Sequence, residues 1–558
     1  SGVSTTGNTS TTITIHDYVL KCNATVFSEG SASEQTAITD KTQWGNIDSD
    51  NDIHPYEQLN VHKAQSYKSG STTLTGNGQF IHIVDSHCNV NHDIFNNKTI
   101  HNLDDGGSGE STFDTATNHP LRHHCQTVAT FAAGDATGSA GSGESTHMGV
   151  APDADLILSS FSNVSGNSSD DYARDLDSAR ALNAVASNNS WGWKQGGDGT
   201  SYNSAEFIVD RDNAGRTNDQ AFADLFNGGT TSTDISDWQD YVTALDNFQN
   251  SGVIVWAAGN TEAETESDVA ASLPTFYSQL AEAWINVINA DFTGSSMSNA
   301  SESEFARQGN ACGSTKEFCL TVDGTDVGGG SWVNGSGVSQ YDSDELGSSY
   351  SAPMVSGGVA LLSQAFPNHT PEQITQRILA SANNDWFTPS GATTFTTHGA
   401  SIKHGYNDEW GHGVPDFYAA LSPITSSSNP GGFGFPSGSG GGGSSGGGGS
   451  VPFSQITKLA VSATGMKVSS SLGDGIMNGL KGKTAYAYDA LNGGFKYDVN
   501  EFINYDALTE QKIEHTLDQE ISFLKNFKFS ENKTAKDFDV YAGEFINFRD
   551  KYNRGLSV

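Results

Sequence analysis

The sequence predicts an α/β fold: a doubly wound, mostly parallel sheet with helices on both faces, joined through a Gly/Ser-rich linker to a smaller C-terminal module. Three observations carry this prediction. Short apolar runs (QFIHIVDS, ADLILSSF, NAVASNNSW, GVIVWAAGN and EFCLTVDG) are continuous rather than alternating, as in strands buried on both faces, and each ends in a small or polar residue. Between them lie stretches with helical patterning, such as DYARDLDSARALNAV and DWQDYVTALDNFQNS, and such alternation implies parallel crossovers. Beyond them, Thr425 to Ser450 (TSSSNPGGFGFPSGSGGGGSSGGGGS) is too poor in apolar side chains to bury a core and reads as a flexible tether.

These boundaries divide the chain into an N-terminal extension (1–58), the long α/β region (59–424), the linker (425–450) and the C-terminal module (451–558). The 558 residues carry 28 Lys and Arg against 65 Asp and Glu, a formal charge of −37. No basic cluster is present to meet phosphates, which argues against nucleic acid or an anionic membrane as partner. No apolar run reaches the ~18 residues of a membrane-spanning helix. The opening SGVSTTGNTS has neither a charged n-region nor an apolar h-region, so any signal peptide is expected to have been removed. An acidic surface rich in Gly, Ser, Thr and Asn fits a secreted or surface protein.

Five cysteines (Cys22, Cys88, Cys125, Cys312 and Cys319) leave at least one thiol unpaired within the chain. The compact spacing of CGSTKEFC makes Cys312–Cys319 an expected small disulfide loop. Half a zinc site is the alternative, but no second Cys or His pair stands at ligand spacing.

In a parallel α/β sheet, ligands bind beyond the carboxyl ends of the strands. QFIHIVDS leads to Asp85 there, AVASNNSWG to Ser190, Trp191 and Gly192, and VIVWAAGN to Asn260. HHCQTVATFAAG opens a small-residue helix at His124, and GSSYSAP (Gly347–Pro353) opens another at Ser349. The second stretch has a plain reading as a helix start, with a Ser cap and Pro353 tolerated in the first turn. It has a sharper one as a nucleophile at the positive end of a buried helix. Asp, His and Ser in this chain order, with an Asn amide, are the parts of an acyl-transfer site.

The stretches carrying these residues resemble the motifs of subtilisin-like serine proteases (subtilases), in order and over roughly residues 59 to 424. TGNGQFIHIVDSHCNVNHDIF resembles the Asp motif. HHCQTVA resembles H-G-T-x-V-A, and counting back four from Val128 selects His124 over His123. HMGVAPDADL, NSWG, VIVWAAGN and GSSYSAPMVSGGVALL resemble the segments that follow, and PNHTPEQITQRILASA and GHGVPDFYAAL the closing helices. The resemblance implies a serine endopeptidase acting on polypeptides, with Asp85, His124 and Ser349 catalytic and Asn260 and the Ser349 N–H as oxyanion donors. It assigns Ser190, Trp191, Gly192, Ala258 and Gly259 to substrate binding. An uncharged, partly aromatic wall there favours apolar residues before the scissile bond, unless Asp210 or Asp212 reaches the pocket floor. The chemistry requires no cofactor. Structural calcium is common in the family, but no D-x-[DN]-x-[DN]-G loop is present to assign its ligands.

The chain departs from the family at His87, Cys125 and Gln126, where small residues allow close backbone approach. The alternative implied is an inactive scaffold of the same fold that binds peptides. Cys88 and Cys125 flank motifs that meet in the fold, and either bridge or leave a free thiol beside the site. His54, His62 and His404 are read as surface or loop residues and TEAETESD as a solvated rim. The 70 positions from Ser190 to Asn260 imply an inserted loop near the cleft.

Ser469–Phe502 resembles the stretch that joins subtilase passengers to the membrane barrel of bacterial autotransporters, although Asn492–Phe495 stand where an Arg is usual. CGSTKEFCLTVDGTDV is also typical of those passengers. This implies the extracellular space or cell surface of a Gram-negative bacterium, and an outer-membrane barrel of its own precursor as partner. The module itself lacks the run of about eight or more ten-residue strands that a barrel requires. KIEHTLDQEISFLKNF places Ile513, Leu517, Ile521 and Leu524 on one helix stripe, expected to pack within the module. Oligomeric state is left open.

Overall fold

The computed structural model describes residues 27, 30–39, 53–103, 120–137, 146–161, 168–194, 199–333, 336–397, 400–422 and 424, then 466–467, 484–488, 491, 493–498, 503–504, 538–542, 546–550 and 555–557. The described residues fall into two compact units, the first holding those up to Phe395 and Ile402–Leu421. At its centre is an eight-stranded sheet. In chain order the strands are β1 (Phe80–Asp85), β2 (Ile100–Asn102), β3 (Asp155–Ser160), β4 (Ala184–Asn189), β5 (Val253–Ala257), β6 (Trp284–Phe292), β7 (Phe305–Arg307) and β8 (Cys319–Val322). In space the order is β7-β6-β5-β4-β1-β3-β2, with β8 also on β6. Every pairing is parallel except β7 on β6.

This topology determines where a site can form. From β1 the chain passes to the edge strand β2 and comes back to β3 between them, then crosses to wind the other way through β4, β5 and β6. The reversal lies between β1 and β4, and crevices open at such switch points beyond the carboxyl ends of the strands. The register aligns Val84 with Asn189, Asn189 with Trp256 and Ala257 with Val287. Asp85, Ser190 and Asn260 therefore emerge along one edge.

The helices that pack on this sheet and frame its edge are α1 (Pro120–Ala133), α2 (Ser169–Ala181), α3 (Ser204–Asn213), α4 (Asn218–Asn227), α5 (Ser232–Phe248), α6 (Ser348–Ala365), α7 (Pro371–Ala380) and α8 (Phe417–Leu421). On one face, α2, α4 and α5 bury Leu176, Phe222, Trp238 and Leu245 with Ile254, Trp256 and Trp284 of the sheet. Trp256 and Trp284 stack at 5.5 Å with their planes 8° apart. Alternate strand residues point the other way, where α1 and α6 pack on each other and α6 runs along β4, β5 and β6.

Between Ser190 and Asn260, residues 204–248 are mostly helical, which corrects the inserted loop. Besides the crossover helix α5 they form α3 and α4, and each of the three opens on a capping box: Asn203 with Glu206, Thr217 with Gln220, Thr231 with Asp234. These helices bury Phe207 on Phe222 at 4.1 Å.

α6 is buried from Ser348 through Leu362. Gly357 and Gly358 give it that closeness: a Cβ at Gly357 would stand 2.7 Å from the Ala132 carbonyl of α1, and one at Gly358 2.0 Å from the Phe417 ring of α8. The hairpin of β9 (Val327–Val333) and β10 (Ser339–Glu345) lies against α1. The unit is closed where its first and last segments meet, with the Phe417 N–H donating to the Leu59 carbonyl and Asn60 Nδ2 to Asp416 Oδ2 at 2.9 Å.

His404 is not a surface residue. It is 2% exposed on a strand (Ala400–Tyr406), with Nδ1 2.8 Å from that of His412. Burial holds both imidazoles well below their ordinary range, at about 4 and about 3. His54 caps a short helix by accepting the Tyr56 N–H, and His62 is half-buried.

In the second unit, Thr484–Tyr488 pairs antiparallel with Gly494–Asp498, and Phe538–Ala542, Ile546–Asp550 and Gly555–Ser557 form an antiparallel meander. The linker 425–450 and the helix expected over 512–527 lie outside the described residues.

Candidate active site

The carboxylate of Asp85, at the end of β1, is fully buried and held by the N–H and hydroxyl of Ser86 at 2.7 and 3.1 Å. His124 comes from the first half of α1. Its Nδ1–H donates to Asp85 Oδ1 at 2.8 Å and lies 3.0 Å from Oδ2. That bond fixes the tautomer, leaving Nε2 as the acceptor. Burial opposes protonation of His124, but the charge and hydrogen bond of Asp85, aided by the charge of Glu345, raise its pKa above the ordinary 6.5. A base must be neutral to accept a proton. Activity carried by His124 should therefore fall as pH drops through that raised value, and the acidic limb of kcat/KM should have its midpoint above 6.5. A pH–rate profile checks this, and a midpoint at or below 6.5 would contradict it.

Ser349 is the second residue of α6 and is 8% exposed. Its hydroxyl donates to the Ser190 carbonyl at 3.1 Å, so engaging an imidazole requires a turn about χ1. Pro353 falls in the second turn of α6, not the first. Having no N–H, it cannot close the helical bond to the Ser349 carbonyl. The Ser190 hydroxyl supplies the missing donor at 2.8 Å, and Asn188 Nδ2 donates to that hydroxyl in turn at 2.9 Å. A proline inside the helix thus ties its first turn to the end of β4.

Asn260 is exposed at the cleft while its side chain is held from behind. The Ser348 N–H and hydroxyl both donate to its Oδ1 at 2.8 Å, which leaves Nδ2 as the donor of this amide. A Cβ at Gly347 would stand 3.1 Å from that Nδ2. At Gly259, φ is +110° and a Cβ would come within 2.6 Å of Asn310 Oδ1, so only glycine fits.

The predicted substrate-binding residues divide into two groups. Gly192 is exposed. Trp191 packs into the core, stacked on Tyr172 at 5.4 Å and 5.0 Å from Trp256, whose Nε1 donates to the Trp191 carbonyl. Ala258 is buried, donating to Val287 and accepting from Asp268.

Asp268 is the residue that the sequence reading missed. The rim TEAETESD is exposed at Glu262, but it ends in this carboxylate at 1% exposure. Asp268 accepts the Trp193 and Ala270 N–H groups, each at 2.9 Å, and lies where a Cβ on Gly192 would fall. It therefore ties the segment after β4 to the segment after β5. Burial pushes its carboxyl up to about 8 against those two bonds. Alternation offers no signal here, because Asp268 reads as the last of an acidic run. Asp210 and Asp212 are exposed, Asp210 accepting the Tyr202 hydroxyl and Asp212 pairing with Arg211.

Both cysteine pairs are bridged, Cys88–Cys125 and Cys312–Cys319. Among the described residues, no group of three or more His, Cys, Asp or Glu side chains is placed to hold a metal ion.

The fold and this edge are those of a peptidase class. The model of the subtilase family matches residues 76–413, more than half of the chain, and the chain belongs to that family. It is a serine endopeptidase, and its substrates are polypeptides. Solved structures similar to it include the prenylagaramide maturation protease PagA (16% identity, 62% of this chain and 92% of that one, TM-score 0.38). MycP1 with its N-terminal propeptide removed is 20% identical over 66% and 96% of the two chains, TM-score 0.38. MycP1 from Mycobacterium smegmatis is 17% identical over 68% and 89%, TM-score 0.40. No curated protein sequence matches the chain.

Proposed function

We propose that this subtilase hydrolyses peptide bonds through an acyl-enzyme on Ser349. His124 Nε2 takes the Ser349 proton as Oγ attacks the scissile carbonyl, then passes it to the leaving amine. Asp85 keeps the imidazole in the required tautomer and stabilises its cation. The developing oxyanion is received by Asn260 Nδ2 and the Ser349 N–H at the positive end of α6. In deacylation, water attacks the ester and His124 returns the proton to Ser349. The observation that carries this reading is the bond from His124 Nδ1 to Asp85, beside strand ends to which Ser349 is tied through the Ser190 carbonyl and Asn260 through Ser348. A fluorophosphonate probe tests it: the intact chain should be labelled, Ser349→Ala should not, and Ser351→Ala, whose hydroxyl faces Val322, should be. Equal labelling of Ser349→Ala would overturn the assignment of Ser349, and an intact chain that is not labelled would leave the silent scaffold as the better reading.

Cleavage should favour apolar or aromatic residues before the scissile bond. Asp210 is exposed and accepts the Tyr202 hydroxyl, Asp212 is exposed and paired with Arg211, and both oxygens of Asp268 are engaged by backbone N–H groups. A buried Lys or Arg would lack a partner there, whereas apolar area gains about 25 cal/mol per Å². Peptide-library profiling at two salt concentrations checks this, and a salt-insensitive preference for Lys or Arg would overturn it. On the resemblance of Ser469–Phe502, the enzyme works outside a Gram-negative cell, delivered by a barrel of its own precursor.

A further inference from the structure

Two departures from the family pattern around His124 turn out to be cross-links. Cys125 follows His124 directly, is 1% exposed, and is bonded to Cys88, three residues beyond Asp85, with Cα atoms 5.2 Å apart. Gln126, equally buried, accepts the Asn89 N–H on Oε1 at 3.2 Å and donates from Nε2 to the Ser331 carbonyl of β9 at 2.8 Å. Thr127 adds a bond to the Gly330 carbonyl at 2.8 Å. These residues tie the loop after β1, and the hairpin, to the stretch of α1 that carries His124.

The lever arms are short. β1 ends at Asp85, so nothing in the sheet ladder holds the residues that follow it. An attachment one residue from the imidazole and three from the carboxylate transmits any displacement almost directly to the Nδ1–Oδ1 contact. We propose that the Cys88–Cys125 disulfide, supported by Gln126, is a positioning element that holds His124 against Asp85, so that the enzyme reaches its full rate only when this bridge is oxidised. The proposal rests on the Asp85–His124–Ser349 reading above. Cys88 is half-buried and Cys125 buried, so a dithiol reductant meets the Cys88 sulfur first. Its thiolate bonds to that sulfur and expels the Cys125 thiolate, which takes up a proton. The second thiol of the reductant then closes on the first, releasing Cys88 as a thiol and leaving the reductant as a cyclic disulfide.

The test uses the full chain: oxidised, reduced by dithiothreitol, as the Cys88→Ser/Cys125→Ser double variant, and as Gln126→Ala. Peptide hydrolysis is followed across pH, with circular dichroism for folding and thiol alkylation with mass spectrometry for the state of each bridge. Displacements of about 1 Å in a catalytic constellation cost up to about 10²-fold in rate. Reduction of Cys88–Cys125 and the double variant should each lower kcat about 10–100-fold with KM little changed, and Gln126→Ala should lower it less. The acidic-limb midpoint should also fall toward 6.5 as the imidazole loses Asp85. A merely structural bridge would reduce the folded fraction without moving that midpoint. Reoxidation should restore both values. A folded sample with Cys88 and Cys125 reduced that keeps kcat and midpoint within twofold overturns the proposal. So does unfolding in both the reduced and the double-variant samples, since the bridge then holds the fold rather than the pair. Failure of the oxidised chain to label at Ser349 would instead overturn the underlying reading.

Discussion

Asp85→Asn is expected to lower kcat about 10⁴-fold while KM stays within a few-fold. The carboxylate holds His124 by accepting from Nδ1. The amide that replaces it can keep the geometry yet donate to that nitrogen, which moves the ring proton to Nε2 and removes the acceptor for the Ser349 hydroxyl. The magnitude is the one known for this change in a Ser-His-Asp protease of another fold. Because Asp85 is fully buried and also accepts from Ser86, a melting curve should accompany the kinetics. A variant that remains folded yet loses less than about tenfold would mean that the imidazole is not oriented by this carboxylate. Loss of the pair should also return the acidic-limb midpoint toward 6.5.

Asn260→Ala is expected to lower kcat about 10²–10³-fold, the loss known for removing such a donor from a subtilisin, again with little change in KM. Its Oδ1 is occupied by Ser348, which leaves Nδ2 as the donor of the amide, and in the proposed mechanism that donor acts when charge develops on the substrate oxygen rather than on binding. Steady-state kinetics with one peptide ester and one amide decide the point. A rise in KM at constant kcat would make Asn260 a ground-state contact.

Much of this arrangement was legible in the sequence because strand ends, motif order and helix starts are local properties. The apolar run before Asp85 predicts both the strand and its emergence at the crevice, and VIVWAAGN does the same for Asn260. Gly357 and Gly358 mark a close-packing surface in the local sequence, whereas their partners in α1 and α8 lie far from them along the chain. The helices between Ser190 and Asn260 are legible too, since three capping boxes mark their starts. What escaped depends on contacts distant in sequence. Pro353 was placed one turn too early because nothing local says that Ser190 will supply the donor it lacks. Asp268 and His404 carry residue types that usually face water. Only the return of other segments over them, with backbone N–H groups for one and His412 for the other, makes their burial tolerable.

The join between Leu59 and Phe417 bears on how the molecule comes into being. The residues that meet there, Asn60 and Asp416, are 356 positions apart, and contacts so distant slow folding because loop closure must precede them. A chain emerging at about 5–20 residues per second holds Asp85 and His124 long before it holds Ser349, and α6 before the Phe417 ring that packs on Gly358. Competence therefore arrives last, only once nearly the whole unit has been made. A protease assembled in this order has no finished cleft to turn on its neighbours while its synthesis is under way.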